Sequence, residues 1–230
     1  MKAIILAAGK GTRLLPLTEQ TPKPLIGIAN IPIINRIFQS LPDEIDEVIV
    51  VVEHLKEKII NHVGDNFFNR KVVCVNQGAR KGTFGALLSA EHLLAENERF
   101  LVLNGDDLHH KNELEQYLKN PRSLGVQYMN MPNYYSVHLG ENNIVHGFSP
   151  QTEEEKKGKV LVATGVYVID SNIFKHQGVV VYGGEYGLPQ TILAQKDDYP
   201  ITGVITSKWI PINSFADMEK AEKILKKLLN

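Results

Sequence analysis

The sequence predicts an α/β fold: one domain built on a doubly wound sheet. Three observations carry that prediction. Short apolar runs alternate with helix-period segments through the first 130 residues, which is βαβ repetition. Val48 to Val52 is an unbroken β-branched run, the mark of a strand covered on both faces. After Met131 the rhythm changes to antiparallel strands, so the sheet is mixed.

In chain order, Ala3 to Ala7 reads as a strand, followed by a Gly/Pro/Thr-rich loop to about Pro24. Pro32 opens a helix through Ser40, because proline is tolerated in a first helical turn. Val48 to Val52 is strand, Lys56 to Val63 helix, Lys71 to Val75 strand, and Thr83 to Ala95 helix. Phe100 to Leu103 is strand, Asn112 to Lys119 helix, and Leu124 to Met129 strand. Val137 to Leu139, Ile144 to Phe148 and Val160 to Ile169 read as antiparallel strands, with a solvated charged loop at Glu153 to Lys159. A helix at Leu188 to Ala194 and a strand at Ile201 to Ile205 follow. Ala216 to Leu229 is an amphipathic helix with Met218, Ala221, Leu225 and Leu228 on its docked face and Lys220, Lys223 and Lys227 opposite. Residues 1–131 make up the βαβ half and 132–230 the half with antiparallel strands. Ligands of such sheets sit outside the carboxyl ends of the strands, so the loops after Ala7, Val75 and Leu103 face one crevice.

Composition narrows the function. Lys+Arg 25 against Asp+Glu 26 argues against bulk electrostatic binding of nucleic acid, while leaving room for a local phosphate pocket. A single cysteine, Cys74, excludes an internal disulfide framework and a Cys-rich zinc site. It sits in an apolar strand as a buried thiol, and a reducing, cytoplasmic setting is the simplest. Ala3 to Ala8 is too short an apolar run for a secretory leader, and no stretch approaches the ~20 residues of a membrane span.

The chemistry concentrates in Leu6-Ala7-Ala8-Gly9-Lys10-Gly11-Thr12-Arg13-Leu14-Leu15-Pro16-Leu17-Thr18 and Thr21-Pro22-Lys23-Pro24. Small residues after a buried strand let the backbone pass close to a ligand, and exposed N–H groups there can cradle anionic oxygens. Arg13 supplies a planar fork for phosphate and Lys23 a compact charge, so together they suit a polyphosphate. Two familiar phosphate motifs fail. A P-loop needs a glycine five residues before Gly9, and that position is Ile4. A dinucleotide fingerprint needs glycine at Leu14 and an acid near Ile31.

The stretch instead resembles the signature of the sugar-1-phosphate nucleotidylyltransferases, or nucleotide-sugar pyrophosphorylases: Leu-Ala-Ala-Gly-x-Gly-x-Arg-Leu-x-Pro-Leu-Thr, then Pro-Lys-Pro. The resemblance implies a Rossmann-like, nucleotide-diphospho-sugar transferase type of sheet, with residues 1–131 as the nucleotide-binding half and 132–230 as the sugar-phosphate-binding half. It implies that Leu6, Ala7, Ala8, Gly9, Gly11 and Thr12 wrap the nucleotide. Arg13 would bind the triphosphate and stabilise charge on the α-phosphorus, and Lys23 would contact phosphate from the other side. Gln77 with Gly82-Thr83 matches the family's base-reading segment. A glutamine amide donates and accepts, so it can pair with the imide edge of uracil or thymine, which favours UTP or dTTP. Asn104-Gly105-Asp106-Asp107 matches the metal loop, with Asp106 the Mg²⁺ ligand and Asp107 read as the cap of a following turn. Gly165, in Thr164-Gly165-Val166-Tyr167, and Glu185 match sugar-contacting positions. The reaction implied is Mg²⁺-dependent nucleotidyl transfer from UTP or dTTP to a sugar 1-phosphate, releasing pyrophosphate. The partners implied are those two substrates, with no nucleic acid and no membrane. Self-association is common in such enzymes.

Two departures stand out. Family members carry Glu-Lys-Pro where this chain has Phe148-Ser149-Pro150, so the lysine that grips the sugar phosphate is missing. Lysines in Glu153 to Lys159 are the nearest substitutes in sequence. Members also carry Trp-x-Asp, then a Gly/Asn-Thr/Ser pair, near the C-terminus, with that Asp a second metal ligand; here Trp209, Asn213, Ser214 and Asp217 keep register but the ligand position is Pro211. Adjacent His109 and His110 do not restore it, because neighbouring histidines rarely share an ion and Mg²⁺ prefers oxygen. These departures keep two alternatives open: a cytidylyltransferase acting on phosphocholine or an alditol phosphate, and a catalytically impaired nucleotide-sugar-binding regulatory homologue.

Overall fold

The computed structural model describes residues 1–229; the side chains of residues 227–229 lie outside it, so the expected places of Lys227 and Leu228 on their helix faces do too. An eight-stranded sheet runs through the molecule. Its strands are β1 (Lys2–Leu6), β2 (Glu47–Val52), β3 (Asn66–Phe67), β4 (Arg70–Asn76), β5 (Arg99–Asn104), β6 (Ser123–Met129), β7 (Val160–Asp170) and β8 (Thr202–Thr206). The spatial order is β8-β6-β7-β5-β1-β2-β4-β3. β1 pairs in parallel with β2 and β5, β2 with β4, and β6 with β8. β7 runs antiparallel to both β5 and β6, which makes the sheet mixed. The later antiparallel strands divide their roles. Val160–Asp170 joins this sheet, whereas Tyr135–Leu139 and Val145–Pro150 form a separate hairpin.

Helices cover both faces. Along β1 the side chains alternate, as strand geometry requires. Ala3 and Ile5 face one core with α1 (Ile33–Ser40), α2 (Lys56–Val63) and Ala221 of α6 (Phe215–Leu229). Ile4 faces the other with α3 (Thr83–Leu88) and α5 (Leu188–Ala194). α4 (Lys111–Tyr117) packs on the first face through Leu114. Val48 to Val52 are all at most 1% exposed, so β2 is covered on both faces as its composition demands. The chain exposes 11398 Å², near the ~10,400 Å² expected for its mass.

Three expectations need correction. The helix from Thr83 stops at Leu88, not Ala95, and a separate 3₁₀ turn covers Glu91–Leu93. Ser89 Oγ donates to the Ala86 carbonyl at 2.6 Å, a local bond that competes with helix continuation. Cys74 is half-buried rather than sealed, because β4 lies next to the short edge strand β3. Asp107 caps no turn. It lies in a two-residue strand paired antiparallel with Ile210–Pro211, and His110 caps α4 by accepting from the Asn112 N–H. No described helix is long and apolar enough to cross a membrane.

Candidate active site

A cavity of about 1000 Å³ opens at the carboxyl ends of β1, β2, β4 and β5. Residues 6–14 form one wall, with Lys23, Gln77, Gly82, Thr83, Asp106 and Glu185 around the rest. The loops expected to face one crevice therefore do so.

The loop after β1 is bent for this purpose. Ala7 N–H still extends the ladder to the Val51 carbonyl, and Leu14 is the buried anchor at the loop's far end. Between them, Ala8 to Gly11 send no backbone N–H to a protein acceptor among the described residues, which leaves four donors over the cavity. Gly11 has φ +65°, a left-handed conformation that costs an L side chain. A Cβ there would also stand 2.9 Å from Thr18 Cγ2 and 3.2 Å from Lys23 Cβ. Thr18 holds the fold-back, since its hydroxyl donates to the Gly11 carbonyl at 3.0 Å.

Lys23 is buried, and its Nζ lies 2.5 Å from Asp106 Oδ2, whose side chain is 32% exposed on the cavity. Arg13 is exposed, lines the cavity, and makes no ion pair among the described residues. Asp107 is buried behind Asp106 and takes a bond from Asn104 Nδ2 at 3.3 Å. Burial first, and the like charge of Asp106 second, push its carboxyl well above the usual carboxylate range; Lys23, Asn104 and the nearby Trp209 indole oppose the rise. Pro211 pairs directly with Asp107, so the proline does stand beside the acidic pair.

At the other end, Gln77 Nε2 donates to the Arg80 carbonyl at 2.8 Å and the Gly82 carbonyl at 3.2 Å. Both amide hydrogens are used, which fixes the amide's orientation and leaves Oε1 as its free acceptor. Gly82 (φ +87°) has no room for a Cβ, which would fall 2.5 Å from the Tyr186 carbonyl oxygen. Thr83 Oγ1 accepts from Leu188 N–H at 2.9 Å. These contacts dock the segment carrying Glu185 onto the nucleotide half.

Not every expected residue reaches the cavity. Gly165 is buried and lies off its lining. It sits where the register of β7 shifts, at φ +76°, and a Cβ there would collide with Asn104 Nδ2 at 2.1 Å. Its place is beneath Asn104 and Asp107. None of Lys156, Lys157 and Lys159 lines the cavity, and Ser149 Oγ is taken by His138 Nε2 at 2.7 Å. His109 is half-buried with its Nε2 sealed and unpartnered, and desolvation pushes it down to about 3. No cluster of three or more metal-binding side chains exists among the described residues.

The structure adds residues the sequence reading passed over. Glu53 and His54 follow β2 into the cavity, and Lys10 and Asn104 line it. The strand-end rule applied to Val52 would have found the first two. Asn213, already singled out by its register after Trp209, lines the cavity too. It precedes a reciprocal cap of α6: Ser214 Oγ and Asp217 Oδ2 lie 2.9 Å apart, and Asp217 N–H donates back to Ser214 Oγ at 3.2 Å. Asn213 N–H also donates to Asp217 Oδ2 at 2.9 Å. Its own Nδ2 donates to Tyr134 Oη at 2.9 Å, which leaves Oδ1 free. Tyr134 is pushed up to about 12 by burial and then by Asp107, so it stays protonated at neutral pH.

With this geometry in place, comparison with known proteins is decisive. The profile of the nucleotidyl transferase family matches residues 2–181. The chain belongs to that family. This nucleotidyl transferase is 33% identical over 236 residues to the bifunctional protein GlmU of Methanocaldococcus jannaschii, covering 100% of this chain and 55% of that protein. It is 38% identical over 113 residues to the UTP–glucose-1-phosphate uridylyltransferase AglF of Haloferax volcanii, covering 49% of this chain and 46% of that one. The chain spans about half the length of the curated relatives it matches. Its fold matches a UDP-glucose pyrophosphorylase solved with UDP-glucose, with a TM-score of 0.82 at 20% identity over 99% of this chain and 98% of that one.

Proposed function

We propose that the chain transfers a nucleotidyl group from UTP or dTTP to a sugar 1-phosphate, with Mg²⁺, releasing pyrophosphate. The observation that carries this reading is the single cavity in which the unpaired N–H groups of the Gly9–Gly11 loop, Lys23 with Asp106, and Gln77 with Gly82 and Thr83 meet. AglF, named for UTP and glucose 1-phosphate, supports the same chemistry.

A phosphate oxygen of the acceptor attacks the α-phosphorus in line, the bond to the β-phosphate breaks, and pyrophosphate departs with the electron pair. Such a reaction needs positioning and charge neutralisation more than covalent help. The loop donors hold the phosphates, Arg13 and Lys23 neutralise them, and Lys23 exchanges Asp106 for phosphate as the nucleotide enters. Gln77 Oε1, an acceptor only, suits the N3–H of uracil or thymine and repels the unprotonated N3 of cytosine.

The oxygen donors fit magnesium. Asp106 is accessible on the cavity, Asn213 Oδ1 is free, and Mg²⁺ commonly takes one or two protein oxygens plus phosphates and waters. When bound, the ion would draw charge from the α- and β-phosphates. Asp107 remains behind Asp106 as a buried acid.

One observation favours a second acceptor class. No lysine from residues 153–159 lines the cavity and Ser149 stands where the family lysine does, which suits CTP with phosphocholine or an alditol phosphate. A matrix of nucleoside triphosphates against sugar 1-phosphates, phosphocholine and alditol phosphates, followed by pyrophosphate release with Mg²⁺ and with chelator, tests both. Turnover confined to UTP or dTTP with a sugar 1-phosphate is expected. Turnover confined to CTP selects the second reading, and none with any pair sinks both.

A further inference from the structure

We propose that Tyr134 donates a hydrogen bond to the departing pyrophosphate. The inference rests on the functional reading above and adds a residue to it. A second cavity, about 730 Å³, adjoins the nucleotide cavity, and among the described residues only Arg13 and Asn213 line both. Tyr134 stands at this junction, on the wall of the second cavity. Gln77, Gly82 and Thr83, at the base-reading end, border only the first. The hydroxyl is therefore on the Arg13 side of the site, away from the base-reading end, where the triphosphate and its departing pyrophosphate would lie.

Three contacts hold the phenol in place before any ligand arrives. Tyr134 N–H closes a turn onto the Met131 carbonyl at 2.9 Å. Its ring meets Trp209 edge-on at 6.2 Å between centroids. Asn213 Nδ2 donates to its oxygen at 2.9 Å, and Asn213 is itself fixed by the cap of α6. Because the oxygen already accepts, the hydroxyl proton must find a different acceptor, and the described residues supply none. An anionic phosphate oxygen beside Arg13 is the matching partner. As the α-phosphorus–oxygen bond breaks, the pair of electrons stays on pyrophosphate. A preorganised neutral donor there stabilises the growing charge without giving up its proton.

Tyr134→Phe removes only the hydroxyl. Steady-state kinetics in both directions and calorimetry with inorganic pyrophosphate and with UMP or dTMP, matched to the preferred nucleotide, form the test. The expected result is a KM for pyrophosphate in the reverse reaction raised about tenfold and a kcat lowered about 10- to 100-fold. Affinity for the monophosphate, which has no β-phosphate, stays within twofold of wild type. A pyrophosphate KM within twofold of wild type overturns the proposal, as does equal weakening toward pyrophosphate and monophosphate. The ratio of the two affinities does not depend on the folded fraction, so a destabilised variant still decides the matter. Wild type without turnover would sink the functional reading; an active wild type with an unaltered Tyr134→Phe would sink this inference alone.

Discussion

Lys23→Met separates the two jobs assigned to that lysine. Methionine keeps most of the aliphatic volume, so packing against Gly11 survives and the loss is chiefly of charge. In the empty protein the change leaves Asp106 without its partner at 2.5 Å. Removing one member of a buried pair costs ~3–5 kcal/mol. Asp106 is 32% exposed and keeps solvent contact, which brings the expected cost to ~1–2 kcal/mol. For a chain of this size that lowers Tm by roughly 2–8 °C. In the reaction, the same change removes one preorganised cation from the phosphates, worth ~2.7–4 kcal/mol or about 10²–10³ in rate. The assay is kcat/KM by pyrophosphate release at saturating acceptor, alongside thermal unfolding. A variant within threefold of wild-type kcat/KM would refute the reasoning whatever its Tm, because stability alone would then account for the buried lysine.

Arg13→Ala should lower kcat/KM by roughly 10²-fold or more with little change in Tm, since Arg13 is exposed and makes no ion pair among the described residues; activity within threefold of wild type would remove it from the clamp. Gln77→Glu sets a carboxylate against the Arg80 and Gly82 carbonyls, and the nucleotide KM should rise about tenfold or more while the acceptor KM stays within twofold. Unchanged nucleotide KM would show that the amide does not read the base. His109 is held neutral in the fold, pushed down to about 3 from ~6.5 when unfolded. Its folded pKa is the lower one, so its contribution is complete above ~6.5 and is lost as pH falls toward 3. His109→Leu should therefore lose less Tm than wild type between pH 7.5 and pH 5, a difference of up to ~2 kcal/mol; parallel Tm curves would contradict it.

The sheet was legible wherever one physical demand dominated the residues. Val48 to Val52 has to be covered on both faces, and Lys56–Val63 and Leu188–Ala194 match their observed bounds. The helix from Thr83 overran because apolar periodicity continues past Ser89, where a side-chain bond ends the helix. The glycine-rich loop was legible because its residue types are the chemistry: open backbone, Arg13 and Lys23. Asp107 misled, since an acid after a strand reads as a cap until its pairing with Pro211 buries it. Gly165 carries a motif, but its freedom from a Cβ serves Asn104 at 2.1 Å. Asn213 was legible from its register after Trp209, but Tyr134 was not, because 79 residues separate two side chains that only the tertiary fold joins.

The loop after β1 is expected to hold a triphosphate between its free N–H groups and two cations. A crystal structure with UTP or dTTP and magnesium examines that most directly. The phosphates should lie over Ala8 to Gly11, with Arg13 and Lys23 in contact and Lys23 drawn away from Asp106. Nucleotide bound elsewhere, or an empty cradle with Lys23 still paired to Asp106 at saturating nucleotide, would contradict it.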